Sequence, residues 1–192
     1  FVVRQPRLAR PGETIFGTGL TTVPGGKGLN QAIAAARAGG VVSFLGAVGD
    51  DDLGPRVRAA LEDAWVDTRA LRTVPGTTGT AHVAVLDGGE NAIAVVPGAN
   101  AAITTFDDHR ALDDVEYLMS QFERPVTLIH EAFQAARERG IRTVLTPAPV
   151  VDMPPELLEL TDILIPNAIE ACQLADVREA LDAARVLSRR CG

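Results

Sequence analysis

The chain has 192 residues, 46% of them hydrophobic and 22% charged, with a formal net charge of −7. That length suits one α/β domain with at most a small appendage, and the composition can bury a core and excludes a disordered chain. The acidic balance lacks the broad basic footprint of a nucleic-acid binder, and no uncharged apolar run approaches the ~18 residues needed to cross a bilayer, so neither nucleic acid nor membrane is an expected partner.

In chain order, the Ala-rich stretch from Leu29 to Ala38 reads as a helix stopped by Gly39-Gly40. Val41 to Gly46 reads as a short buried strand. Asp50-Asp51-Asp52 then precedes a helical face of Leu53, Val57, Ala60, Leu61 and Ala64, with an aspartate as cap and Pro55 in the first turn. Trp65, the lone tryptophan, is expected in the core. Ala81–Leu86 and Ala92–Val96 flank Asp87-Gly88-Gly89-Glu90-Asn91 and predict a β-hairpin, with His82 packed inside it.

The second half keeps an α/β rhythm. Val115 to Met119 is strand-like, Val126–Arg139 helical up to Gly140, and Ile141–Leu145 a strand. Pro154–Leu160 is a short helix, Ile163–Ile165 a strand, and Ile169 onward and Ala180–Arg190 are helical. Strands alternating with helices predict a mostly parallel, helix-covered sheet. The hairpin and the Gly/Thr-rich stretch from Gly12 to Thr22 fall outside that rhythm and predict a small β appendage. The chain opens in strand-like sequence without Met and closes on a helix, which together read as a segment of a longer protein.

Charge singles out one turn. Residues 1–49 hold Arg4, Arg7, Arg10, Lys27 and Arg37 against Glu13 alone, net +4, leaving −11 for the remainder. Lys27 is the single lysine; the other 17 basic residues are arginine. It lies in Pro24-Gly25-Gly26-Lys27-Gly28, where a compact ammonium fits and a guanidinium fork does not. The turn is not a Walker A loop, because Thr21 and Gly28 stand where that pattern needs glycine and Ser/Thr. Small residues before a helix N-terminus expose backbone N–H groups to an anion or a polyhydroxy ligand, and Asn30 can both donate and accept. The alternative is an ordinary glycine-rich turn.

Two further places carry polar groups just past strand ends, where ligands bind in open α/β sheets. Glu123, in Gln121-Phe122-Glu123-Arg124-Pro125, can accept from sugar hydroxyls or be a solvated loop charge. Asn167 and Glu170, three apart, can face the same side and hold water around Mg²⁺, or form a helix cap and its capping box. The three histidines are too scattered for a metal motif. Cys172 and Cys191 lack CxxC spacing, which fits a reducing, cytoplasmic setting.

In family order across nearly the whole chain stand Pro11-Gly12-Glu13-Thr14, Pro24-Gly25-Gly26-Lys27-Gly28-Leu29-Asn30-Gln31-Ala32, Gly46-Ala47-Val48-Gly49-Asp50-Asp51, Thr78-Gly79-Thr80-Ala81, Pro97-Gly98-Ala99-Asn100, Gln121 with Glu123 and Pro125, Pro147-Ala148-Pro149, and Pro166-Asn167 with Glu170-Ala171. This set resembles the ribokinase branch of the PfkB carbohydrate kinase family. The resemblance implies a three-layer α/β sandwich with a mostly parallel central sheet and a β-sheet lid, the lid falling at residues 1–24 and 79–97 within an incomplete domain of residues 1–192. It implies transfer of the γ-phosphoryl group of ATP to the primary hydroxyl of a pentose, most plainly D-ribose. Carried over by position, Gly26, Lys27, Asn30 and Glu123 would bind the sugar, Asn167 the nucleotide, and Glu170 would meet Mg²⁺ through water.

The resemblance also implies a monovalent cation such as K⁺ and a homodimer formed through the lid. The family's Gly-Ala-Gly-Asp segment, with the catalytic base and anion hole, falls beyond residue 192, and its first strand, with a sugar-binding aspartate, falls before Phe1. These 192 residues alone are therefore expected to be inactive. Thr146 stands where the family has Asn, and Ala168 where it has Glu, both on the nucleotide side. A non-catalytic sugar-binding or regulatory relative, or a kinase for another sugar or a nucleoside, are the alternatives.

Overall fold

In the computed structural model, which describes residues 1–191, the Ala-rich stretch after the glycine turn forms helix α1 (Lys27–Arg37). Its apolar stripe buries Leu29 and Ala32 in a cluster with Val48, Leu61, Ala64, Val66 and Leu71. The chain leaves α1 through Gly39 at φ +95°, with N–H bonds from Gly39 to the Ala36 carbonyl and from Gly40 to the Ala35 carbonyl. Those two bonds are a Schellman cap, and only a residue tolerant of positive φ closes it cheaply.

The next strand is displaced from its predicted position. β3 is Gly46–Gly49, all four residues buried, whereas Val41 is fully exposed and Ser43 makes only an isolated bridge to Asp67. Apolar character pointed to Val41–Gly46, but close packing decided for the smaller residues. A Cβ on Gly49 would sit on the Gly76 carbonyl oxygen, so the strand end must be glycine to pass beneath that loop. Helix α2 (Gly54–Glu62), with Pro55 in its first turn, packs Leu61 into the same core. β4 (Leu71–Val74) pairs in parallel with β3 and was not anticipated. Two-residue alternation is hard to see in Leu-Arg-Thr-Val.

Trp65 corrects a second expectation. It is 93% exposed, at φ +63°. Trp65 N–H reaches the Glu62 carbonyl and Val66 N–H the Leu61 carbonyl, so Trp65 occupies the left-handed position of a Schellman cap on α2. Backbone geometry turns the indole outward, and the apolar contact of the cap is made by its neighbour Val66 with Leu61.

The predicted hairpin forms as β5 (Thr80–Leu86) and β6 (Asn91–Val96). Together with β1 (Val2–Gln5) and β2 (Gly19–Thr21) it makes a four-stranded sheet in the order β2-β1-β5-β6, with β1 parallel to β5 and the other pairs antiparallel. His82 is exposed on β5 and stacks on the Phe1 ring at 5.2 Å. In the long β1–β2 loop, Arg7 grips Glu13 by two hydrogen bonds of 2.7 and 2.6 Å. These elements make up one compact unit, Phe1–Asn100.

From Ala101 onward a second unit holds β7 (Tyr117–Gln121), α3 (Val126–Glu138), β8 (Arg142–Thr146), α4 (Glu156–Glu159), β9 (Ile163–Leu164), α5 (Ala168–Ala175) and α6 (Ala180–Leu187). Its three strands pair in parallel in the order β7-β8-β9, as the α/β alternation requires. The α3 stripe of Ile129, Ala132, Phe133 and Ala136 is buried, and Phe133, Leu145 and Leu157 are fully enclosed. Enclosure of each such side chain is worth about 1.5–3 kcal/mol. Among the described residues, no helix is long and apolar enough to cross a membrane.

Candidate functional site

In the first unit, β2 leads through Thr22–Gly26 directly into α1. Gly26 is the residue before the helix, at φ +105° and ψ 147°, a conformation a side chain resists. Its carbonyl accepts the first helical bond from Asn30 N–H at 3.0 Å. The residue before the helix makes no side-chain cap hydrogen bond and no acidic residue lies in the first turn, so no carboxylate of that turn offsets the positive end of the helix dipole. Lys27, half-buried, and Asn30, exposed, stand on that turn, while Leu29 between them is held in the core. Gly26, Lys27 and Asn30 are thus brought together around one rigid helix start. Asn30 also lines a shallow groove of about 440 Å³ with Pro24, Ile33, Arg37 and Asp63.

In the second unit, parallel register aligns the C-terminal ends of all three strands. Gln121 stands opposite Thr146, Leu145 opposite Leu164, and Ile165 N–H bonds the Leu145 carbonyl. Glu123 lies two residues past β7, half-buried, between Phe122, which is 5% exposed, and the turn into α3. Phe122 N–H donates to the Ala148 carbonyl, tying this turn to the cis Ala148-Pro149 turn after β8. Gln121 was singled out in the sequence only as part of a pattern. Here its side-chain oxygen is sealed from solvent without a hydrogen-bond partner.

Asn167 and Glu170 meet at the same strand edge, at the start of α5. Asn167 Oδ1 accepts from Glu170 N–H at 2.9 Å and Glu170 Oε2 accepts from Asn167 N–H at 2.8 Å, a complete capping box. One oxygen of each side chain is therefore engaged in holding the helix. Glu170 keeps its second carboxylate oxygen, a donor type that suits a hydrated magnesium ion. Among the described residues no group of three His, Cys, Asp or Glu could cage a metal. The residues fit an ion held through water and do not fit an all-protein cage.

The Asp50-Asp51-Asp52 run was expected to supply an aspartate cap for α2. The residue just before the helix is Leu53, which makes no side-chain cap bond, but Asp51 Oδ1, two residues upstream of it, accepts from the Leu53 and Gly54 N–H groups at 3.2 and 3.1 Å. The same carboxylate also accepts from Thr78 N–H at 2.9 Å and Thr78 Oγ1 at 2.6 Å. The bonds from Thr78, ahead of those from Gly54 and Leu53, hold the Asp51 carboxyl below the usual carboxylate range. Nothing in the local sequence of either residue signalled this link, which spans 27 positions.

The profile of the pfkB family carbohydrate kinases matches residues 1–189. The ribokinase of Haemophilus influenzae is 35% identical over 194 aligned positions, covering 96% of this chain and 63% of its own. The ribokinase of Bacillus subtilis is 39% identical over 174, covering 88% and 59%. The chain therefore spans about three fifths of the length of these curated relatives. In structure, the α/β fold matches an Arabidopsis thaliana ribokinase solved with ribose and ATP, with a TM-score of 0.88, 28% identity, and coverage of 99% of this chain and 65% of that one.

Proposed function

The chain belongs to the pfkB family of carbohydrate kinases, and on that footing we propose for its protein an ATP-dependent phosphorylation of the primary hydroxyl of a pentose, D-ribose foremost. The observation that carries the reading is the Gly26 turn: positive φ, a helix start with no acidic residue in its first turn, and Lys27 and Asn30 on that turn. Donors and an acceptor at a rigid helix end match a ring of vicinal hydroxyls. In this reading Gly26 lets the chain approach the sugar and Lys27 and Asn30 hydrogen-bond its hydroxyls, while for Glu123, in the second unit, family position alone supports a role as hydroxyl acceptor. These contacts fix the acceptor oxygen, and positioning supplies much of the rate in phosphoryl transfer.

Asn167 serves the nucleotide and Glu170 holds water of the magnesium shell. ATP with Mg²⁺, when bound, supplies the phosphoryl group and neutralises the charge that develops on it. No residue of the 192 is assigned as catalytic base or to a monovalent cation. On one face of the lid sheet Ile93 and Val95 are both more than half exposed. That apolar surface supports pairing of two copies through the lid.

The test is a coupled phosphorylation assay on the complete protein with ATP and Mg²⁺, comparing ribose, fructose and nucleosides. Ribose 5-phosphate as the fastest-formed product is the expected result. Faster turnover of a nucleoside would replace the assignment.

A further inference from the structure

Among the described residues five polar side chains are buried: Thr68, Thr78, Gln121, Thr143 and Thr161. Each threonine hydroxyl is bonded. Thr68 Oγ1 donates to Glu62 Oε1 at 2.7 Å, Thr78 Oγ1 to Asp51 Oδ1 at 2.6 Å and Thr161 Oγ1 to the Leu157 carbonyl at 2.7 Å. Thr143 Oγ1 donates to the Leu160 carbonyl and accepts from Asp162 N–H at 3.0 Å. Gln121 is the exception. It is 9% exposed, and its carboxamide oxygen has neither solvent nor a hydrogen-bond partner. A buried acceptor left unpaired weakens the folding equilibrium by about tenfold, and an apolar side chain of the same size would avoid that loss.

Of the five, Gln121 alone stands on the C-terminal edge of the β7-β8-β9 sheet, the edge at which open α/β sheets bind ligands. It is the last residue of β7, opposite Thr146 in register and two positions before Glu123. The backbone just beyond it is held, because Phe122 N–H donates to the Ala148 carbonyl at 3.1 Å. The last torsion of a glutamine side chain is broad, so the carboxamide can turn its oxygen toward an arriving donor while that backbone stays in place.

We infer that Gln121 is a further ligand-binding residue: its oxygen, unpaired in the chain alone, accepts a hydrogen bond from a hydroxyl of a ribosyl group. That group is common to D-ribose and to the ribose of ATP, and its hydroxyls supply the donor that a carbonyl oxygen requires. The ribosyl chemistry rests on the kinase reading proposed above; the unpaired acceptor does not.

Side-chain amide NMR on the full 192-residue chain tests this. The Gln121 carboxamide resonances are those that vanish in Gln121→Met, an apolar side chain of like size. D-ribose and ATP with Mg²⁺ are added separately. One of them should shift these resonances, and Gln121→Met should bind that same ligand about tenfold more weakly, the loss expected for one hydrogen bond. A response to ribose alone gives the acceptor to the sugar, and a response to ATP alone gives it to the nucleotide. In urea the unfolding constant of Gln121→Met should be about tenfold lower than the parent's. A variant less stable than the parent, or one that fails to fold, overturns the unpaired acceptor. Gln121 resonances unmoved while the amides of Gly26 to Asn30 shift would overturn its role in binding and leave the sugar site standing. No shift at any residue with either ligand would overturn the kinase reading and the role of Gln121 with it.

Discussion

Asn167 and Glu170 each hold the other's backbone N–H at 2.9 and 2.8 Å, so the pair proposed to serve nucleotide and magnesium is also the pair that starts α5. A helix start that depends on these two side chains keeps them oriented before any ligand arrives, which lowers the ordering cost of binding. Removing the acceptor in Asn167→Ala should lower the unfolding free energy by about 0.5–2 kcal/mol, whereas Asn167→Asp should retain the cap. Denaturant unfolding of the two variants checks this. Unchanged stability in Asn167→Ala would show that the cap contributes nothing.

Trp65 offers a test in the opposite direction. Glycine fills the left-handed position in the caps of α1 and α3, at Gly39 and Gly140, while the cap of α2 places an indole there at φ +63°. A side chain in that conformation costs about 1–2 kcal/mol, and the exposed ring recovers little of it by packing. Trp65→Gly should therefore raise the melting temperature by a few degrees (about 2–4 °C per kcal/mol for a chain of this size). A fall in melting temperature would show that the indole makes contacts that outweigh the strain.

The β1–β2 loop is sensitive to acid. The Arg7 guanidinium, with the Arg10 N–H, lowers the Glu13 carboxyl from its ordinary value near 4.5 to about 2. Because the folded value is depressed, the stabilisation is present above pH 4.5 and is lost as pH falls toward 2. An NMR titration of Glu13 should show the low midpoint in the parent and a midpoint raised toward 4.5 in Arg7→Ala, where the Arg10 N–H still holds the carboxylate. The pair is exposed, so added salt should raise the parent's midpoint. A parent midpoint near 4.5 would mean that the ion pair does not persist in solution.

Helices and the hairpin were legible because their signals are local: glycine stops at Gly39 and Gly140, Pro55 in a first turn, and Gly88-Gly89 between two β-branched runs. The first parallel strand was misplaced, and β4 missed, because tight passage of Gly49 under residues 76–78 is a tertiary demand that apolar runs do not record. Trp65 was misjudged for the same reason, since hydrophobicity said core and the cap geometry of α2 said outside. The Gly26 turn was readable from its glycines and from the solitary lysine. Asp51's bond to Thr78 was not, because it joins two segments that only the fold brings together.

Chemical-shift mapping of the isotope-labelled chain with D-ribose tests the sugar site most directly. Ribose should shift the amides of Gly26 to Asn30. In Asn30→Ala and Lys27→Met the affinity should fall by about tenfold or more, as expected when hydrogen bonds to a bound ligand are removed. Undiminished ribose binding in both variants, with the shifts gathered on other residues, would contradict it.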